Sequence, residues 1–217
     1  MKYKAAIFDM DGTILNTLTD LQSAVNYALN KNGLPERTYE EVRFFVGNGI
    51  LKLIQRAVPQ NSSEKIIQQV YDDFTTYYKA HNADTTKPYE GITDAISELK
   101  KLGIKTAVVS NKADYGVQAL VKDFFDGLFD AAIGQQEGLS TKPSADMVNL
   151  ALTRLNVQNQ DAVYIGDSDV DFETAKNSQM DFIGVDWGFR GREFLIKLGT
   201  QNIASTADDL ISIITGN

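Results

Sequence analysis

Two textures of hydrophobic spacing divide the chain. Over residues 18–78 apolar positions recur every three or four residues, as in Leu18, Leu21, Val25, Ala28 and Leu29, and again in Ile66, Ile67, Val70, Tyr71, Phe74 and Tyr77. That period lays one apolar stripe along a helix, so the stretch is expected to be all-helical. From Gly91 onward short apolar runs alternate with helical patterns. Helices are expected over 92–102, 115–122, 144–155, 170–177 and 207–214, and extended segments over 106–109, 129–133, 162–165 and 182–185. Strands that alternate with helices are joined by right-handed crossovers into a parallel sheet buried on both faces. The opening run, residues 4–8, belongs to that sheet. The expected fold class is therefore α/β: a doubly wound, Rossmann-like parallel sheet with an inserted all-helical cap domain. Residues 1–15 and 83–217 would form the core and residues 16–82 the cap, hinged near Asn16 and over 82–86.

In such sheets a ligand crevice opens beyond the carboxyl ends of the strands. The polar residues that follow each apolar run are therefore the candidates for chemistry. After the first run stand Asp9 and Asp11; after Val108-Val109 stand Ser110 and Asn111; after Tyr164-Ile165 stand Asp167, Ser168, Asp169 and Asp171. Lys142 lies in "STKPS", just ahead of a helical pattern. Several carboxylates, one hydroxyl and one ammonium from distant loops would meet on one patch. Crowded carboxylates repel and raise one another's pKa unless a cation joins them. Mg²⁺ is the economical cation, a hard ion that binds oxygen and keeps room for substrate phosphate oxygens. One carboxylate could then attack a phosphorus atom, while a second protonates the leaving oxygen and later deprotonates water. Two aspartates at i and i+2 can point to the same side if the chain stays extended between them.

Composition narrows the setting. The chain has 217 residues, no cysteine and a formal net charge of −8. Without cysteine no disulfide, zinc–thiolate or thiol nucleophile is available, which suits a reducing compartment. The acidic balance argues against a nucleic-acid footprint, though not against a small phosphorylated metabolite as partner. No run approaches the ~18 apolar residues of a membrane span. The N-terminal run is too short for a signal peptide, so a cytoplasmic protein without a membrane partner is expected. The pattern leaves monomer and dimer equally open.

The motifs "DMDGT", "VVSNK", "TKPS" and "GDSDVD" resemble, in order, the four motifs of the haloacid dehalogenase-like phosphatases. The helical insertion resembles the C1 cap of that superfamily. The resemblance implies that Asp9 is the nucleophile and a metal ligand, and that Asp11 is the acid/base and a metal ligand through its backbone carbonyl. It further implies that Ser110 and Lys142 bind the substrate phosphate, that Asn111 also binds substrate, and that Asp167 and Asp171 complete the Mg²⁺ site. Within the superfamily, "VGNGILKLIQRA", "HNADTTKPYEGI" and "GVDWGFR" look most like the phosphoglycolate phosphatase group. Asn177, Ser178 and Ala145 depart from the pattern usual there.

The resemblance thus implies a phosphatase acting through an aspartyl-phosphate, with phosphoglycolate the favoured substrate. An inorganic pyrophosphatase or a β-phosphoglucomutase-like phosphomutase uses the same chemistry. A receiver-like signalling module also combines acids, a hydroxyl and a lysine on a parallel sheet, but carries no helical insertion. Other polar and aromatic residues have plainer readings. Asp169 is expected to do no more than favour a helix N-terminus. His81 is read as a structural or hinge residue, Arg43 as an exposed helix arginine, and Tyr71, Phe74, Tyr77 and Tyr78 as cap core. Gly47-Asn48-Gly49 reads as a turn between cap helices or, by resemblance to the family's pattern, as a cap loop that closes over the substrate.

Overall fold

A computed structural model describes residues 2–216. The ends of the expected core, Met1 and Asn217, lie outside the described residues. The chain divides into two compact units, one formed by Asn16–Lys87 and the other by the segments on either side of it.

The larger unit is built on strand β1 (Ala5–Phe8). A brief strand, β2 (Leu15–Asn16), leaves it, and helices α1 (Leu18–Lys31), α2 (Tyr39–Phe45), α3 (Ile50–Ala57) and α4 (Glu64–His81) make up the smaller unit. The chain returns through β3 (Lys87–Pro88), which pairs with β2. Then follow α5 (Ile92–Lys101), β4 (Lys105–Ala113), α6 (Asp114–Phe125), β5 (Ala131–Gln135), α7 (Asp146–Leu155), β6 (Ala162–Gly166) and α8 (Asp169–Asn177). The chain closes with β7 (Asp181–Val185), α9 (Arg192–Lys197), β8 (Asn202–Ala204) and α10 (Ala207–Thr215).

The main sheet has six strands in the order β5-β4-β1-β6-β7-β8, and each neighbouring pair is parallel. Strand order therefore runs one way from β1 through β4 to β5 and the other way from β6 to β8. The reversal falls between β1 and β6, where doubly wound sheets open their crevice. Alternation along β1 explains its burial on both faces. Ala5 and Ile7 join a core with Val109, Met147, Val148 and Tyr164, while Ala6 and Phe8 join one with Ile96, Leu120, Val163 and Leu210.

Two local differences from the sequence pattern matter for the site. Strand β4 does not stop at Val109 but continues to Ala113, with its register to β5 shifting between those residues. Apolar content marked only the half of the strand that lies in the core. The second difference is an extra helix and strand, α9 and β8, after Gly191. At six and three residues they are too short to show a period.

In the smaller unit the helical pattern places Leu21, Val25, Ala28 and Leu29 of α1 and Val70, Phe74 and Tyr78 of α4 in the interior. Phe74 and Tyr78 stack, with centroids 5.2 Å apart, as does Tyr77 on Tyr27 at 4.1 Å. His81 stacks on Tyr77 and pairs with Asp84 at 2.8 Å, and Arg43 pairs with Glu40 at 3.2 Å.

Candidate active site

Beyond Phe8 the chain leaves β1 through a tight turn in which the Met10 carbonyl accepts the N–H groups of Thr13, Ile14 and Leu15. Gly12 makes the turn at a φ of +87°, where side chains are strained. Asp9 thus stays beside the sheet, while Asp11 stands a turn further out and is partly exposed.

The centre of the site is the Lys142 ammonium. It lies 2.7 Å from Asp9 Oδ1 and 2.8 Å from Asp171 Oδ1, and its side chain is 2% exposed. An ammonium at that depth is costly unless paired. Burial lowers the Lys142 pKa, but Asp171 and Asp9 outweigh it and hold the group well above its ordinary value. The Tyr164 ring lies beneath the ammonium at 5.8 Å. Asp171 also caps α8: Ser168 is the N-cap, its hydroxyl 2.6 Å from Asp171 Oδ2, in a reciprocal capping box. Asp169, at the first helical position, has no part in the box.

Asp167 is held from the opposite side. Its Oδ2 accepts the Phe189 N–H at 2.6 Å, and its Oδ1 accepts the Thr13 hydroxyl at 3.4 Å. Glycines at 12 and 188 make room for it: a Cβ on Gly12 would stand 2.7 Å from Asp167 Oδ2, and one on Gly188 would run into the Asp167 side chain. Burial, then repulsion from Asp171, pushes the Asp167 carboxyl up to about 7. The same two causes, in that order, raise Asp9 well above the usual carboxylate range. Ligand oxygens of Asp9, Asp167 and Asp171 lie within 4.8 Å of one another, the one such group among the described residues. The donor set is oxygen alone, buried and short of positive charge, which fits a hard divalent cation.

The remaining expected residues fall around this cluster. Ser110 is buried, its hydroxyl accepting the Lys112 N–H at 3.2 Å. Asn111 turns to the Lys142 backbone, accepting its N–H at 2.8 Å and donating to its carbonyl at 3.1 Å. Lys112 was not singled out by the sequence pattern. Its ammonium lies 3.2 Å from Asp11 Oδ1, and its side chain is 5% exposed. The third residue of "SNK" was the available signal, since i and i+2 share a face on an extended segment.

Residues 6–185 match the family model for haloacid dehalogenase-like hydrolases. A phosphoglycolate phosphatase of Agrobacterium fabrum is 31% identical over 188 residues, covering 85% of this chain and 81% of that protein. Pyrophosphatase PpaX of Listeria welshimeri is 28% identical over 216 residues, covering 98% of this chain and 97% of the other. Among solved structures, a candidate phosphoglycolate phosphatase from Lactobacillus delbrueckii subsp. bulgaricus superposes with a TM-score of 0.96 at 40% identity, covering 100% of both chains.

Proposed function

Because the chain belongs to the haloacid dehalogenase-like hydrolases, we propose that it is a Mg²⁺-dependent phosphatase of small phosphorylated metabolites in which Asp9 is transiently phosphorylated. The observation that carries this reading is the buried Asp9–Lys142–Asp171 arrangement with Asp167 beside it, set where the strand order reverses.

The chemistry follows from the side chains. Ser110 and Lys142 hold phosphoryl oxygens, where charge gathers as the phosphorus reacts. A carboxylate oxygen of Asp9 forms a bond to phosphorus as the bond to the leaving oxygen breaks, and Asp11 gives that oxygen a proton. Water then attacks phosphorus and Asp11 takes its proton. The Asp9–phosphorus bond breaks and inorganic phosphate departs. Mg²⁺, held by Asp9, Asp167 and the Asp11 carbonyl, would supply the positive charge that lets Asp9 approach an anionic phosphoryl group. Both Asp171 oxygens are engaged by Lys142 and Ser168, so Asp171 supports the site by fixing Lys142. Asn111 does the same from the backbone side.

Phosphoglycolate is the favoured substrate, supported by the relative of that name. Inorganic pyrophosphate is the second, supported by the PpaX relative that spans nearly the whole chain. The test is phosphate release with Mg²⁺, or with chelator, from phosphoglycolate, pyrophosphate, an aryl phosphate, and hexose and nucleotide monophosphates. Release that needs Mg²⁺ and vanishes in Asp9→Asn supports the reading. Undiminished release by Asp9→Asn would exclude Asp9 as the phosphoryl acceptor.

A further inference from the structure

Two buried lysines serve different carboxylates of the site. Lys142 pairs with Asp9 and Asp171, whereas Lys112 pairs with Asp11 at 3.2 Å. Asp9 faces phosphorus, and Asp11 faces the oxygen that departs. Resting on that reading of the two aspartates, the geometry points to Lys112 as a specificity residue that selects substrates whose leaving group is itself an anion.

Placement is the first support. A group 3.2 Å from the acid that protonates the leaving oxygen lies on the leaving-group side of the phosphorus. Lys112 comes from the irregular end of β4, where the ladder to β5 shifts between Val109 and Ala113. Ser110, two residues earlier on the same segment, serves the phosphoryl oxygens. One stretch of chain thus carries a donor for each half of the substrate.

Burial is the second support. The Lys112 stem runs over Gly116, where a Cβ would stand 3.4 Å from Lys112 Cδ. A lysine that served only to neutralise a partly exposed acid would gain little from being buried, because desolvating the ammonium offsets the attraction. This ammonium is held at depth against the one site acid that is not part of the buried cluster. An ammonium carries three N–H donors, so it can bind Asp11 and a substrate oxygen at once. Glycolate presents a carboxylate one carbon from the departing oxygen, and pyrophosphate presents a second phosphate directly on it. Both offer the anion that Lys112 would meet. A neutral alcohol leaving group offers nothing there.

The test compares phosphoglycolate with the monophosphate of ethylene glycol, which replaces the carboxylate by CH₂OH. The wild-type chain should prefer phosphoglycolate in kcat/KM, and Lys112→Met should shrink that preference by about tenfold or more through KM. Lys112→Arg should restore part of it. Equal losses on both esters in Lys112→Met would overturn the inference, because the lysine would then act on Asp11 alone. A wild-type chain that releases no phosphate with Mg²⁺ from either ester or from pyrophosphate would instead overturn the phosphatase reading, and this inference with it. Thermal melting of each variant separates a folding loss from a change in preference.

Discussion

Asn111 grips the Lys142 backbone from both sides, Oδ1 accepting the N–H at 2.8 Å and Nδ2 donating to the carbonyl at 3.1 Å. The two residues are buried and stand 31 positions apart. The amide thereby fixes the loop that carries the central ammonium of the site. Beside its expected place at the substrate, we propose that Asn111 positions Lys142.

Asn111→Ala should therefore impair catalysis by loosening the Lys142 loop. Two buried hydrogen bonds are lost and the Lys142 N–H and carbonyl are left unpaired, at a cost of about 1–3 kcal/mol. We expect kcat to fall by about 10- to 100-fold, the kinetic equivalent of that cost, with a lowered melting temperature. Steady-state kinetics beside a thermal melt decides it. Unchanged kcat in a folded variant would mean that the Lys142 loop holds its place without the amide.

The raised carboxyls make metal-free stability depend on pH with a definite sign. Asp167 sits at about 7 in the folded chain against an ordinary 3.8, and Asp9 is raised in the same direction. Between about pH 4 and 7 the unfolded chain has released protons that the folded chain keeps, so stability falls as pH rises. Above that window both states are ionised and the decline levels off. A divalent cation replaces the proton as the neutralising charge, so Mg²⁺ should flatten the decline and bind more weakly below about pH 7. Melting temperatures across pH, with chelator and with Mg²⁺, measure both effects. Stability that rose with pH in chelator would contradict the account of carboxyls raised by burial and mutual repulsion.

Gly188 offers a separate test of the proposed metal cradle. A Cβ there would lie 2.5 Å from the Gly12 carbonyl and would run into Asp167. Neither neighbour yields easily, because one is backbone and the other is held by the Phe189 N–H at 2.6 Å. Gly188→Ala should displace Asp167, destabilise the fold by about 1–3 kcal/mol as an overpacked buried site does, and weaken Mg²⁺ binding. Isothermal titration with Mg²⁺ alone reads the second effect directly. Wild-type affinity in that titration would show that Asp167 tolerates the shift.

These contacts also show what a sequence pattern carries and what it does not. The apolar runs that became β1, β6 and β7 were legible because burial on both faces demands unbroken hydrophobicity. The acids after them were legible because the sheet delivers its strand ends to one crevice. The Asn111–Lys142 grip and the Phe189–Asp167 bond join residues 31 and 22 positions apart. No local period encodes such pairs, since they depend on which loops the finished sheet brings together. Ser168 shows a different limit. Among four neighbouring polar residues, only the finished geometry shows that Ser168 is the N-cap of α8 and that Asp171, not Asp169, closes the capping box with it.

Asp20 illustrates the same limit within the smaller unit, and its removal makes the sharpest stability test. On the first turn of α1 it is 3% exposed, yet it accepts the N–H and hydroxyl of Thr85 at 3.0 and 2.6 Å and those of Thr86 at 2.9 and 2.7 Å. Burial alone would raise its pKa, but the threonine hydrogen bonds outweigh it and leave the carboxyl below its ordinary value. The stabilisation is therefore present at neutral pH and is lost as pH falls through the acid range. Asp20→Ala leaves four donors without their acceptor, so a loss of about 3 kcal/mol or more is expected, in line with hydrogen bonds to a charged group. Asp20→Asn keeps the shape but loses the charge, and should cost less. Urea unfolding of the two variants gives the magnitudes, and hydrogen exchange at the Thr85 and Thr86 amides shows whether the loss is local. Amides that stay protected in Asp20→Ala would mean that the segment is held by its other neighbours and that the carboxylate is not its anchor.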